Sequence, residues 1–175
     1  MEDDTQVSWR SMKAWARATP ALAQLNLTYG FYRTEISPFT GELVMMDITM
    51  THSVSQSHTL QVPGQGSFIE LPQPYFGMWL ATRTALKQFM RHPTWKKEVA
   101  LRAPTPHGGY YPERSTWYFQ YVNVPKGFTT RSVVPYNPKS NVLAPEARIV
   151  HLRNGYSDIE GEPLSKVPLV LALSP

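Results

Sequence analysis

The chain has 175 residues, no cysteine, and 17 Lys and Arg against 13 Asp and Glu, for a formal charge of +4. That length suits one ordinary domain that buries its core without staples, and the missing cysteines exclude disulfides, zinc-thiolate sites and cysteine nucleophiles. No run of about 18 apolar residues is present, so no transmembrane segment is expected; the opening Met1-Glu2-Asp3-Asp4 is acidic where a secretory leader is basic.

Residues 5–18 read as a short N-terminal helix, capped by Asp4 or Thr5 and ended by Pro20. On it Trp9, Met12, Trp15 and Ala16 gather on one side, beside a basic stripe of Arg10, Lys13 and Arg17. Trp9 and Trp15 among those cations give the composition of an interfacial helix, so this segment either docks on the core or contacts a membrane or partner. From Leu25 the period changes to two, with Leu25, Leu27, Tyr29 and Phe31 alternating against polar positions. After the turn Ser37-Pro38-Phe39-Thr40-Gly41, a second strand carries Val44, Met46, Ile48 and Met50 on one face, and the two strands are expected to pair. Pro63-Gly64-Gln65-Gly66 marks another turn between short strands.

Residues 75–91 give the clearest helical pattern, with Phe76, Trp79, Leu80, Leu86, Phe89 and Met90 as an apolar stripe and Pro93 as the stop. Residues 104–112 hold three prolines and adjacent glycines and read as a surface loop, in which Gly108, Gly109, Tyr110 and Tyr111 are candidates for insertion into a neighbouring copy. Residues 115–124 alternate Trp117, Phe119 and Tyr121 against Tyr118, Gln120 and Val122, and are expected to form a strand. Shorter strands are expected at 128–134, 148–153 and 169–173. The fold expected is α+β: residues 1–20 as a helical arm, and 21–175 as a single domain in which a twisted, mostly antiparallel sheet is packed by one long amphipathic helix.

Nucleotide-binding loops, nucleophile elbows and metalloprotease motifs are absent, and neither metal nor cofactor is expected. Asp47 with His52, His58 or His151 is the best catalytic grouping the sequence offers. Charge is clustered elsewhere: residues 75–114 hold Arg83, Lys87, Arg91, Lys96, Lys97, Arg102 and Arg114 against two Glu, a net +5. Arg83, Lys87 and Arg91 recur every four residues and so share one helix face, with Lys96 and Lys97 beyond its C-terminal end. Phosphate groups of RNA or of anionic lipid are the ligands such a cluster suits, although a solvated polar face has the same composition.

The order of elements resembles the matrix proteins of rhabdoviruses, especially the short ones of plant-infecting members. The similarity spans residues 22–124: a small basic chain, a strand pair within 25–50, an aromatic amphipathic helix at 75–91 and a strand at 117–124. It departs from the better-known members in beginning acidic rather than Lys-rich, and in offering Pro72-Gln73-Pro74-Tyr75 where they carry Pro-Pro-x-Tyr. The resemblance implies a non-enzymatic virion component that self-associates as a homo-oligomer, binds the nucleocapsid or RNA, and bridges it to the inner leaflet of an anionic membrane. On that basis it would reside in the virion and host cytoplasm as a peripheral membrane protein. Two alternatives remain: a viral accessory protein, such as a movement protein or silencing suppressor, that binds RNA directly, and an enzyme built on the Asp/His grouping.

Overall fold

The computed structural model describes residues 5–37, 41–45, 58–71, 80–96, 114–151 and 167–168, with the backbone alone at 94, 96, 114–117, 151 and 167–168. The fold is α+β. Its strands are β1 (Thr5–Gln6), β2 (Thr28–Tyr29), β3 (Tyr32–Ile36), β4 (Leu43–Met45), β5 (Thr59–Val62), β6 (Gly66–Glu70), β7 (Ser132–Asn137), β8 (Val142–Leu143), β9 (Arg148–His151) and β10 (Val167–Pro168). Its helices are α1 (Trp9–Gln24), α2 (Arg83–Arg91), α3 (Pro93–Lys96) and α4 (Arg114–Tyr121), with a 3-10 turn at Pro145–Ala147.

The strands form two sheets where one was expected. The first runs in the order β1-β9-β3-β4-β10, and the second in the order β2-β7-β6-β5 with β8 paired to β7. β5 and β6 pair antiparallel across the expected turn, whereas the antiparallel partner of β4 is β3, which begins at Tyr32, and not the strand expected from Leu25. Two pairs are parallel, however, β2 with β7 and β3 with β9. Both arise because the chain leaves the second sheet after Tyr29 and enters the first at Tyr32, while residues 132–151 make the same transfer alongside. The alternation read from Leu25 through Phe31 as one strand is therefore split between a helix cap, β2 and the link into β3.

The transfer point is Gly30, whose N–H donates to the Val133 carbonyl at 2.8 Å. A Cβ there would stand 3.2 Å from Ser132 Cβ and 3.3 Å from Leu71 Cδ1, so a side chain would push the neighbouring strand away. One core joins both sheets to α1: Phe68, Ile69, Val133 and Val134 from the second sheet meet Tyr32, Met45 and Ile149 from the first, and Ala18 and Leu22 from the helix.

α1 is longer than expected. Its N-cap is Ser8, whose Oγ accepts from the Ser11 N–H at 3.0 Å, and it runs through Pro20 to Gln24. Its end is a Schellman motif: Asn26 takes φ 58°, the Asn26 N–H donates to Ala23 O at 3.1 Å, and the Leu27 N–H reaches back to Leu22 O at 2.9 Å. The stripe that docks is also different, since Ser11, Ala14, Ala18 and Leu22 are buried while Trp9 and Ala16 are exposed. Small residues let the helix lie close to β2 and the 3-10 turn, which leaves its largest ring outside.

The expected helix over 75–91 is described only from Arg83, with Leu80 and Ala81 outside it; Thr82 is the N-cap, accepting from the Ala85 N–H at 3.1 Å. Of its apolar stripe Phe89 is buried, Leu80 is half-buried, and Leu86 and Met90 are exposed; Phe76 and Trp79 lie outside the described residues. The segment expected as a strand at 115–124 is helix α4 over Arg114–Tyr121, and its Tyr118 and Phe119 pack on α2 rather than into a sheet. The Phe89 ring lies 4.9 Å from Tyr118 and 5.5 Å from Phe119, centroid to centroid. The candidate strand at 169–173 and the loop at 104–112 fall outside the described residues.

Candidate polyanion-binding faces

Each flank of α1 has a different character, set by helical spacing. Arg10, Lys13 and Arg17 fall within about 60° of one another around the axis, with Trp9 at the edge of that arc; Trp15 lies about 120° from Trp9 on the far side. The structure accordingly separates the two tryptophans. Trp15 is half-buried against the core, whereas Trp9 is 71% exposed and the Lys13 ammonium stands 5.4 Å over its ring. Trp9, Arg10, Lys13 and Arg17, with Ala14 and Glu146, line an open hollow of about 510 Å³.

Glu146 sets the electrostatics of the hollow. It enters from the 3-10 turn, and its Oε1 accepts from Arg10 NH2 at 2.8 Å. Burial works to raise its carboxyl, but its own backbone N–H, the Arg10 hydrogen bond and the charges of Arg10 and Arg17 outweigh that and hold it below the usual carboxylate range. One acid thus offsets part of three cations, and Lys13 and Arg17 have no ion pair among the described residues. Beneath this flank burial pushes the Tyr32 phenol up to about 12, the Arg148 charge opposing and Glu146 adding to the shift.

α2 carries the second face. Arg83, Lys87 and Arg91 are all exposed and, at i, i+4 and i+8, form one row along it. Leu86, 37% exposed, and Met90, 47% exposed, sit on the adjoining row, and Trp95 of α3, 44% exposed, packs edge-on against Phe89 at 5.2 Å. The face is therefore amphipathic in the plane of the surface, cations beside large apolar groups. Of the other residues named for this cluster, Lys96 is described in backbone only and Lys97 lies outside the described residues, as do Gly108, Gly109, Tyr110 and Tyr111.

The Asp/His grouping is not brought together among the described residues. Asp47 and His52 lie outside them, His58 is exposed with its ring 5.3 Å from that of Phe128, and His151 is described in backbone only, within β9. No group of three or more His, Cys, Asp or Glu among the described residues could hold a metal ion. No described helix is long and apolar enough to cross a membrane. Sequence reasoning missed Glu146, for which no local signal exists because its partner lies 136 residues away. Exposure of Leu86 and Met90 was likewise hidden, since their spacing equals that of a buried stripe. Comparison with family models, with curated proteins and with solved structures finds no match to this chain.

Proposed function

We propose that this protein is a non-enzymatic, matrix-type structural protein that attaches peripherally to anionic membrane and to nucleocapsid or RNA through its two basic helix faces, and self-associates to form an assembly layer. The observation that carries the reading is the exposure of cations beside large apolar side chains on both α1 and α2: Trp9 among Arg10, Lys13 and Arg17, and Leu86 and Met90 beside Arg83, Lys87 and Arg91. A merely solvated face accounts for the cations but not for Trp, Leu and Met left in water beside them. Interfacial binding accounts for both, because apolar groups enter the headgroup boundary while cations meet phosphate.

Co-sedimentation with phosphatidylserine-containing vesicles and with single-stranded RNA, over a salt series, tests this. Arg83→Glu, Lys87→Glu and Arg91→Glu together should weaken binding at least about tenfold and flatten its salt dependence, as lost phosphate contacts require. A triple variant that binds both ligands like the parent at low salt sinks the reading. RNA binding with no vesicle binding at any salt, by a chain that stays monomeric, would instead assign an accessory RNA-binding role.

A further inference from the structure

The opposite flank of α1 borders a cavity of about 440 Å³ shared with α2, α4 and β2. Small-molecule sites span roughly 300–1,000 Å³ and are mostly apolar with a few placed polar groups. This one fits that description: Trp15, Leu80 and Phe119 contribute apolar wall, Tyr118 and Gln88 contribute polar atoms, and Arg131 is the one cation among the described lining residues. No Asp or Glu is among the described lining residues.

Arg131 is held by main-chain oxygens. Its Nε donates to Asn26 O at 2.9 Å, just past the end of α1, and its NH1 to Val122 O at 3.4 Å, just past the end of α4. Two helix C-terminal ends thus orient the guanidinium with dipoles rather than with a counter-charge. The group has five N–H donors, and no carboxylate lies within ion-pair distance of it among the described residues. Burial disfavours its charged form, with Tyr118 opposing. A fixed cation, partly desolvated, in the wall of an aromatic cavity whose described lining holds no acid is the arrangement that an anion with an apolar body complements.

We propose that this cavity is a binding site for a small aromatic monoanion, its ring body against Trp15, Leu80 and Phe119 and its acid group toward Arg131. The site is separate from the basic rows: Thr84, Ala85 and Gln88 of α2 line it, whereas Arg83, Lys87 and Arg91 do not. It therefore stands or falls independently of polyanion binding.

The probe is 1-anilinonaphthalene-8-sulfonate, compared with N-phenyl-1-naphthylamine, which has the same rings and no charge. The folded parent should bind one sulfonate dye per chain, at least about tenfold more tightly than the neutral dye. Ala85→Phe, which fills the cavity and leaves the Arg131 hydrogen bonds in place, should weaken the sulfonate dye at least about tenfold while keeping near-ultraviolet circular dichroism and cooperative unfolding, which excludes dye uptake by a loosened core. Arg131→Met should remove the preference between the dyes. Lys13→Glu with Arg17→Glu, on the far flank of α1, should change nothing in dye binding. Equal affinity of the parent for both dyes overturns the proposal without recourse to any variant, and so does a folded Ala85→Phe protein that binds the sulfonate dye like the parent.

Discussion

Glu70 shows how much one buried side chain can organise. Only 2% exposed at the end of β6, it accepts at a single oxygen from Thr129 N–H at 2.6 Å, Thr129 Oγ1 at 2.8 Å and Thr130 N–H at 2.8 Å, and so fixes the approach to β7. Glu70→Ala removes the acceptor of three donors, of which the Thr130 N–H is buried, and should destabilise by about 2–3 kcal/mol; Glu70→Gln keeps an acceptor oxygen and should cost about 1 kcal/mol. Urea midpoints of the two variants check the ratio. Glu146 gives a pH signature. Because its carboxyl is held below the usual range when folded, its contribution is present at neutral pH and is lost as the pH falls through the folded value. The parent should therefore lose more stability between pH 6 and pH 3 than Glu146→Gln does, in paired urea titrations. At neutral pH the same variant should bind anionic vesicles more tightly than the parent, since it releases Arg10 on a face that already carries Lys13 and Arg17. No change in vesicle binding would detach the α1 hollow from the polyanion reading.

At the scale of elements, Pro20 makes the sharpest test. It sits inside α1, where it supplies no N–H to the Ala16 carbonyl, while the Thr19 hydroxyl donates to Trp15 O at 2.6 Å one position earlier. Pro20→Ala restores a hydrogen bond and relieves a clash, against a more flexible unfolded chain. It should stabilise by about 1–2 kcal/mol, read as a higher melting temperature. That the helix survives its proline explains why its end was misplaced from sequence: the signal that does end it is Asn26, whose positive φ is available to asparagine and closes the cap. The same residue type marks the end of α4, where Asn123 also takes φ 58°. Within 115–124 aromatic residues occupy both parities, so alternation carried no information; burial of Phe119 and Val122, three apart, is the helical pattern. Turns were legible, because Gly64 between β5 and β6 and Gly66 at the start of β6 take positive φ that other residues resist. The row Arg83-Lys87-Arg91 was legible too, being a matter of spacing within one helix. What covers or exposes its neighbours depends on distant segments, and no local pattern encodes that.

For the whole molecule, the two parallel pairings matter most. β2 pairs with β7, and β3 pairs with β9 along one edge and β4 along the other, so residues 28–36 depend on residues 132–151 for much of their hydrogen bonding as well as for Val133 and Ile149 in the core. A chain ending at residue 131 should accordingly fail to fold, giving insoluble material or an uncooperative melt. Such distant pairing also places folding among the slower topologies, milliseconds to seconds, measurable by stopped-flow dilution from urea. In a cell the delay is longer still. Translation proceeds at about 5–20 residues per second, so the first strands leave the ribosome roughly 5–20 s before their parallel partners. During that interval the growing polypeptide carries Tyr29, Phe31 and Tyr32, all buried in the finished fold, with β4 as a partner for β3 but with neither β7 nor β9 yet made. Its yield should therefore depend on whatever shields that aromatic segment until the last third of the chain arrives.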